Sequence, residues 1–350
     1  MNARVDGNRP EMLSKYAEIV RCGNLMITRM TFALALAALS TLAASQGWTP
    51  QKNVEIVVGS APGGSNDKTA RQVEKVIREN RLLVNGTVTV VNKPGGGTNI
   101  AFAYVNQHAG DAHYLLIGTT ALLTNHITGL GSLYYADFTP IASLFNDYTV
   151  FAVNAGSPIA GGKDLIGRVK KDPNSVATGF ATTLGSHQHI AACLLVKALG
   201  GNARDLKAVA FKGSAEALTA LLGGHLDLVT TAAGNAAPHV AAGRMRVVAA
   251  AAPRRLGGAL AEIPTWKEQG VDLVIGGWRA IMGPKGLTPA QVAYWESVLR
   301  RATQVPEWRS DLERNYWSDD FVTGEQFRKD LAKDYADMKT ILSDLGLAKQ

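Results

Sequence analysis

The chain has 350 residues, 46% hydrophobic and 19% charged, the composition of a globular protein long enough for two domains of ordinary size. Its formal charge of +7 comes from Lys and Arg scattered along the chain, with no block of five or more. That spread excludes a clustered nucleic-acid footprint and leaves a mild bias toward small anions.

The first 25 residues are polar and mixed. Arg29 then precedes an apolar stretch from Phe32 to about Leu42, followed by small Ala43, Ala44 and Ser45. This three-part layout is that of a secretory signal peptide cleaved near Ser45. The stretch is short of the roughly 20 residues that a membrane span needs, so a retained anchor is the lesser alternative. Either the leader is long or translation starts at Met26 or Met30. Both readings set residues 1–45 apart from the fold. Of the two cysteines, Cys22 lies in that leader, so an exported chain keeps only Cys193 and forms no internal disulfide. Cys193 stands in an apolar helical stretch and reads as a packed thiol rather than a nucleophile.

Beyond the leader, short β-like runs alternate with helical ones. Val54–Gly59 reads as a strand. Asp67–Glu79 reads as a helix, with Ala70, Val73 and Ile77 on one face and Glu74 and Arg78 paired four residues apart. A strand over Thr87–Val91, a helix over 98–107 and a strand over His113–Ile117 follow. The pattern then repeats. Strands are expected over Ser175–Gly179, Ala208–Phe211, Leu226–Val229 and Arg246–Ala250, with helices over Ser186–Leu199 and Ser214–Leu222. This alternation predicts α/β layers with parallel strands. Two extended apolar segments, 137–154 and 270–289, join the two units. The C-terminal part reads as helical: Phe327, Leu331, Tyr335, Met338, Ile341 and Leu345 share one helical face, which is expected to dock on the first unit. The expected organisation is a discontinuous lobe 1 (46–147 with 277–350) and a lobe 2 (148–276), joined by two crossing segments.

Four strand-end turns carry the functional signal. The first, Gly59 to Gly64, runs into a helix that Ser65 or Asn66 can cap. Free backbone N–H groups and the positive end of the helix dipole suit an anion there. The turn is neither a Walker loop, since Gly-Lys-Ser/Thr is missing, nor a dinucleotide fingerprint. A tight turn with no ligand is the competing reading. Segments 118–126, 179–191 and 211–218 are read as similar turns rich in Gly, Ser, Thr or Asn. Converging on one cleft, they would form a cage of neutral donors for a carboxylate.

These segments, in order with "VVNKPGGGTNIA", "APHVAAGRMRVVA", "IPTWKEQG" and "GWRAIMGPKGLTP", resemble the periplasmic solute receptors of tripartite tricarboxylate transporters, the Bug family, over residues 50–345. The resemblance implies a type II periplasmic-binding-protein fold, a Venus flytrap that closes on a small organic carboxylate. It implies periplasmic localisation, membrane permease subunits as partners, a monomeric receptor and no cofactor. Carried over position by position, the first lobe offers Gly63, Gly64, Asn66 and Asp67, then Thr120, Thr124 and Asn125. The second offers Gly185, Ser186 and His189, then Lys212, Gly213 and Thr231. Asp67 is expected to order its turn or a bridging water. Asn66 stands where the family often has Thr, and His126 where it usually has Pro, which would loosen that turn. Thr231 stands where members that bind amino acids can carry Asp, so a plain carboxylate is expected rather than an α-amino acid.

His187 and His189 are two apart at a helix start and diverge, which disfavours joint metal ligation. Ser186, His189 and Asp227 can be drawn as a hydrolase triad, but the G-x-S-x-G elbow is missing. Neither catalysis nor a metal is expected; a signalling sensor is the other alternative. Trp266, Trp278 and Trp308 read as core, with Trp278 the exception to watch because it opens the second crossing segment near the cleft. Arg279, beside Trp278, either faces the ligand or pairs structurally.

Overall fold

Each short apolar run becomes a strand, and the amphipathic stretch behind it packs back on the sheet as a helix. The computed structural model describes residues 47–349 with residue 182 excepted; the expected signal peptide lies outside these residues. The first unit comprises β1 (Val54–Val58), α1 (Ser65–Glu79), β2 (Val88–Asn92), α2 (Asn99–Asn106), β3 (Tyr114–Thr119) and α3 (Ala121–Ile127). β1 pairs in parallel with both β2 and β3. α1 buries Ala70, Val73, Val76 and Ile77 against this sheet and pairs Arg78 with Glu74 on its outer side.

β4 (Phe138–Asn154) then runs for 17 residues and belongs to two sheets. Its first part pairs antiparallel with β9 (Gly276–Pro284), which in turn pairs with β3. Its last part pairs with β7 (Leu228–Ala232) and β8 (Met245–Ala250). β7 continues in parallel into β5 (Thr178–Ala181) and β6 (Ala208–Phe211), giving the order β2-β1-β3-β9-β4-β7-β5-β6. The helices of this second half are α4 (Gly162–Lys171), α5 (His187–Ala198), α6 (Ser214–Leu222) and α7 (Ala233–Ala241). The result is a two-lobe α/β fold in which the apolar strand β4 passes from one sheet into the other.

The C-terminal part adds α8 (Pro289–Gln304), α9 (Pro306–Asn315), β10 (Ser318–Thr323) and α10 (Gly324–Asp344). β10 was not expected. Its sequence, Ser-Asp-Asp-Phe-Val-Thr, lacks apolar alternation, yet it pairs antiparallel with β4 as a charged edge strand. α10 buries Phe327, Leu331 and Leu342. It docks on α3, where Tyr335 Oη meets His126 Nδ1 at 2.7 Å, as expected. It also reaches the second half: Lys197 Nζ of α5 lies 2.6 Å from Asp344 Oδ2. Trp266, Trp278 and Trp308 are all buried, Trp266 edge-to-face on Phe151 with centroids 5.0 Å apart.

Candidate functional site

A cavity of about 810 Å³ lies where the strands of both sheets end. Its wall is built from the segments after β1, β3, β5, β6 and β7, so the starts of α1, α3, α5, α6 and α7 all gather round it. No side chain caps α1, α6 or α7, whereas at α3 Thr119 Oγ1 accepts from Ala121 N at 3.3 Å. The first N–H groups of an α-helix have no partner within the helix. Left uncapped and aimed at one space, they form a positive, donor-rich surface suited to an anion.

The glycine turn earns its composition locally. Gly63 has φ +83, a left-handed conformation that glycine adopts without strain. Its N–H donates to Asp67 Oδ2 at 2.8 Å. Asp67 Oδ2 also accepts from Arg71 Nε at 2.9 Å, and Asp67 Oδ1 accepts from Asn92 Nδ2 at 2.9 Å. Burial alone would raise this carboxyl; the hydrogen bonds from Arg71, Gly63 and Asn92 outweigh it and hold Asp67 below the usual carboxylate range. Asp67 is therefore behind the wall as a brace for the turn, while Gly63, Gly64 and Asn66 line the cavity.

Thr120, Thr124 and Asn125 line it as well. The segment 118–126 is the end of β3 followed by the short helix α3, not the open turn expected. Nor is His126 a loosening residue: its ring stacks on Tyr134, with centroids 4.6 Å apart, and bonds Tyr335. Asn125 Nδ2 donates to Gly97 O at 2.7 Å, tying the glycine stretch 95–97 to this wall.

On the other side, Ser186, Lys212 and Gly213 line the cavity. Ser186 caps α5 by accepting from His189 N, and its hydroxyl donates to Ala181 O at 3.2 Å rather than to an imidazole. Gly185 and His189 are not on the wall. His189 is turned inward, with Nδ1 accepting from Gly185 N at 3.0 Å and Nε2 3.4 Å from Cys193 Sγ. Burial pushes this imidazole down to about 4 and the Cys193 thiol up to about 12, so the first stays neutral and the second protonated near neutral pH. Asp227 accepts from Ala177 N at 2.8 Å, completing a backbone contact and not a triad. Thr231 is buried behind Asn235, whose Nδ2 lies 3.5 Å from its Oγ1; Asn235 holds the place on the wall.

Other wall residues had given weaker signals or none. α7 starts at Ala233 directly after Ala232, with no glycine or serine before it, so the sequence does not mark Ala232 and Asn235. Asp147 on β4, Arg279 on β9 and His187 on α5 also line the cavity. Arg279 Nη2 lies 3.9 Å from Asp147 Oδ2, an ion pair without a hydrogen bond. Burial pushes the Asp147 carboxyl up to about 6, with the Arg279 charge pulling the other way. Charged residues inside apolar extended segments were the signal for both.

A groove of about 1010 Å³ elsewhere, lined by Ala155, Arg246, Val248 and Pro264 among others, is less suited to an anion. Its guanidinium is occupied by the carbonyls of Ala155, Ser157, Ile159 and Ala160.

Comparison with known proteins agrees with this architecture. A family model described as the tripartite tricarboxylate transporter family receptor matches residues 69–347. A UPF0065 protein of Cupriavidus necator is 27% identical over 337 residues, covering 95% of this chain and 98% of its own. A solute-binding protein from Polaromonas, solved without ligand, superposes with a TM-score of 0.69 at 26% identity over 85% of this chain and 99% of that one. A Rhodopseudomonas palustris protein solved with adipate shares the fold at a TM-score of 0.75, with 23% identity over 85% and 99% of the two chains. From residue 69 to residue 347, then, this chain belongs to the family of tripartite tricarboxylate transporter receptors.

Proposed function

We propose that the chain captures a small organic carboxylate in the cavity between its sheets and delivers it to membrane permease subunits. The observation that carries this is the convergence of five helix starts, three without a side-chain cap, on one space of about 810 Å³. Hydroxyl and amide side chains share the wall, and Lys68 and Lys212 stand at its exposed parts. Such a surface binds; among the described residues it offers no nucleophile paired with a base. The receptor works as a periplasmic monomer, exported by its N-terminal signal and needing no cofactor. Lobe 1 (46–147 with 277–350) and lobe 2 (148–276) close on the ligand, which bridges donors from both and so favours the closed state.

A thermal-shift panel of malate, adipate and citrate tests this reading. At 100 times its Kd a true ligand adds about 2.7 kcal/mol of stability, a rise in Tm of roughly 4 °C for a chain of this size. No rise with any carboxylate at millimolar concentration would count against the reading, and turnover of an ester or amide would move it to a hydrolase.

A further inference from the structure

We propose that Arg279 is the charged anchor that makes this cavity prefer a ligand with a second full anionic group over one with a neutral amide in its place. The proposal rests on the carboxylate-binding reading above. Arg279 is 94% buried, being 6% exposed, and lies in the cavity wall. Its fork is fixed from behind: Nη1 donates to Gly277 O at 3.0 Å and to Trp278 O at 3.2 Å. Nη2 donates to Ser65 Oγ at 3.2 Å. Ser65 is the first residue of α1, so the guanidinium stands at the uncapped start of that helix. Anion-seeking groups of two kinds, a helix terminus and a fixed cation, thus meet at one end of the cavity.

The guanidinium is also incompletely satisfied. Its Nε has no hydrogen-bond partner, and Asp147 Oδ2 at 3.9 Å compensates its charge through space without bonding it. A buried cation lacking a bonded carboxylate gains most from an anion that supplies one, and a planar guanidinium fits a carboxylate better than a neutral carbonyl. His187, whose Nε2 is likewise without a partner, borders the same spot. A Cβ placed on Gly277 would stand 3.0 Å from His187 Cε1 and 3.1 Å from Arg279 Nη1, so the absent side chain at Gly277 is what lets ring and guanidinium share the wall. A diacid can then place one carboxylate at the Arg279 end and the other among the donors around Ser186 and Gly213, whereas its half-amide can satisfy only one end as an anion.

The test is calorimetric titration of the full chain with adipate and with its half-amide, adipamate. Wild type should prefer adipate at least tenfold. In Arg279→Met the preference should shrink below about threefold, because adipate loses the contact that adipamate did not need. Arg279→Lys should retain an intermediate preference, since the charge remains but the fork does not. Gly277→Ala, which keeps the charge and displaces the guanidinium, should also reduce the preference and guards against misfolding of the Met variant. A purely structural role would weaken both probes alike, so an unchanged adipate preference in Arg279→Met and Gly277→Ala would overturn the proposal while leaving the carboxylate reading intact. Wild type that binds no member of the malate, adipate and citrate panel would overturn that reading, and this proposal with it.

Discussion

Gly213→Asp should abolish carboxylate binding while leaving the fold as stable as before or slightly more so. Gly213 is the N-cap of α6, with extended backbone, no side-chain cap and nothing within 4 Å of a Cβ built on it. Aspartate is among the best N-cap residues, so the helix gains a cap that glycine does not supply, an effect of a few tenths of a kcal/mol. The new carboxylate would stand on the cavity wall. At roughly 5 Å and an effective dielectric near 20, two like unit charges repel by about 3 kcal/mol, or about two powers of ten in Kd. Gly213→Asn provides the neutral comparison, since asparagine caps as well as aspartate does. Titration should therefore show Gly213→Asn within about threefold of wild type and Gly213→Asp at least a hundredfold weaker. Equal affinities in the two variants would mean that no anion sits near α6.

Asp67→Ala should have the largest effect that combines stability with binding. It leaves Gly63 N–H, Asn92 Nδ2 and Arg71 Nε without their shared acceptor in a region where Asp67 itself is 1% exposed. Arg71 is half-exposed and can turn to water, so most of the cost falls on the other two donors. Together they predict a loss of about 2–4 kcal/mol, or roughly 3–6 °C in Tm. Freed of its brace, the Gly63–Gly64 turn no longer presents its donors in one direction, and affinity should fall at least tenfold. Asp67→Asn keeps one acceptor oxygen and should fall between. An Asp67→Ala protein that melts and binds like wild type would show that the turn holds its shape without this carboxylate.

The legible parts of the molecule are those where local chemistry and fold agree. β6 and α6 occupy the expected residues because a short apolar run, Ala-Val-Ala-Phe, is followed by Gly213 and then a helix start. β5 was displaced from Ser175–Gly179 to Thr178–Ala181: Pro173–Ser175 forms a 3-10 turn, with the Asp172 side chain accepting from Asn174 N. The threonine-rich segment after β3 reads as a turn because its helix has only seven residues and its polar members Thr120, Thr124 and Asn125 line the cavity. β10 is not legible in the sequence because pairing with β4, not its own residues, makes it a strand. The glycine-rich parts of the wall were readable for a simple reason, that backbone donors need glycine or a short polar residue to be exposed. The Asp147 and Arg279 contribution was harder to read, because a buried ion pair and a ligand contact look alike in one dimension. What distinguishes them is the 3.9 Å separation and the unpartnered Nε, and both are visible only once β4 and β9 lie side by side.

A crystal structure of the chain with the tightest-binding acid of the panel tests the account most directly. The expected result is a carboxylate whose oxygens lie within about 3.2 Å of N–H or hydroxyl donors from the α1 turn and from the α5 or α6 start. A ligand seated instead in the groove beside Arg246, or one held by donors from a single sheet only, would contradict it.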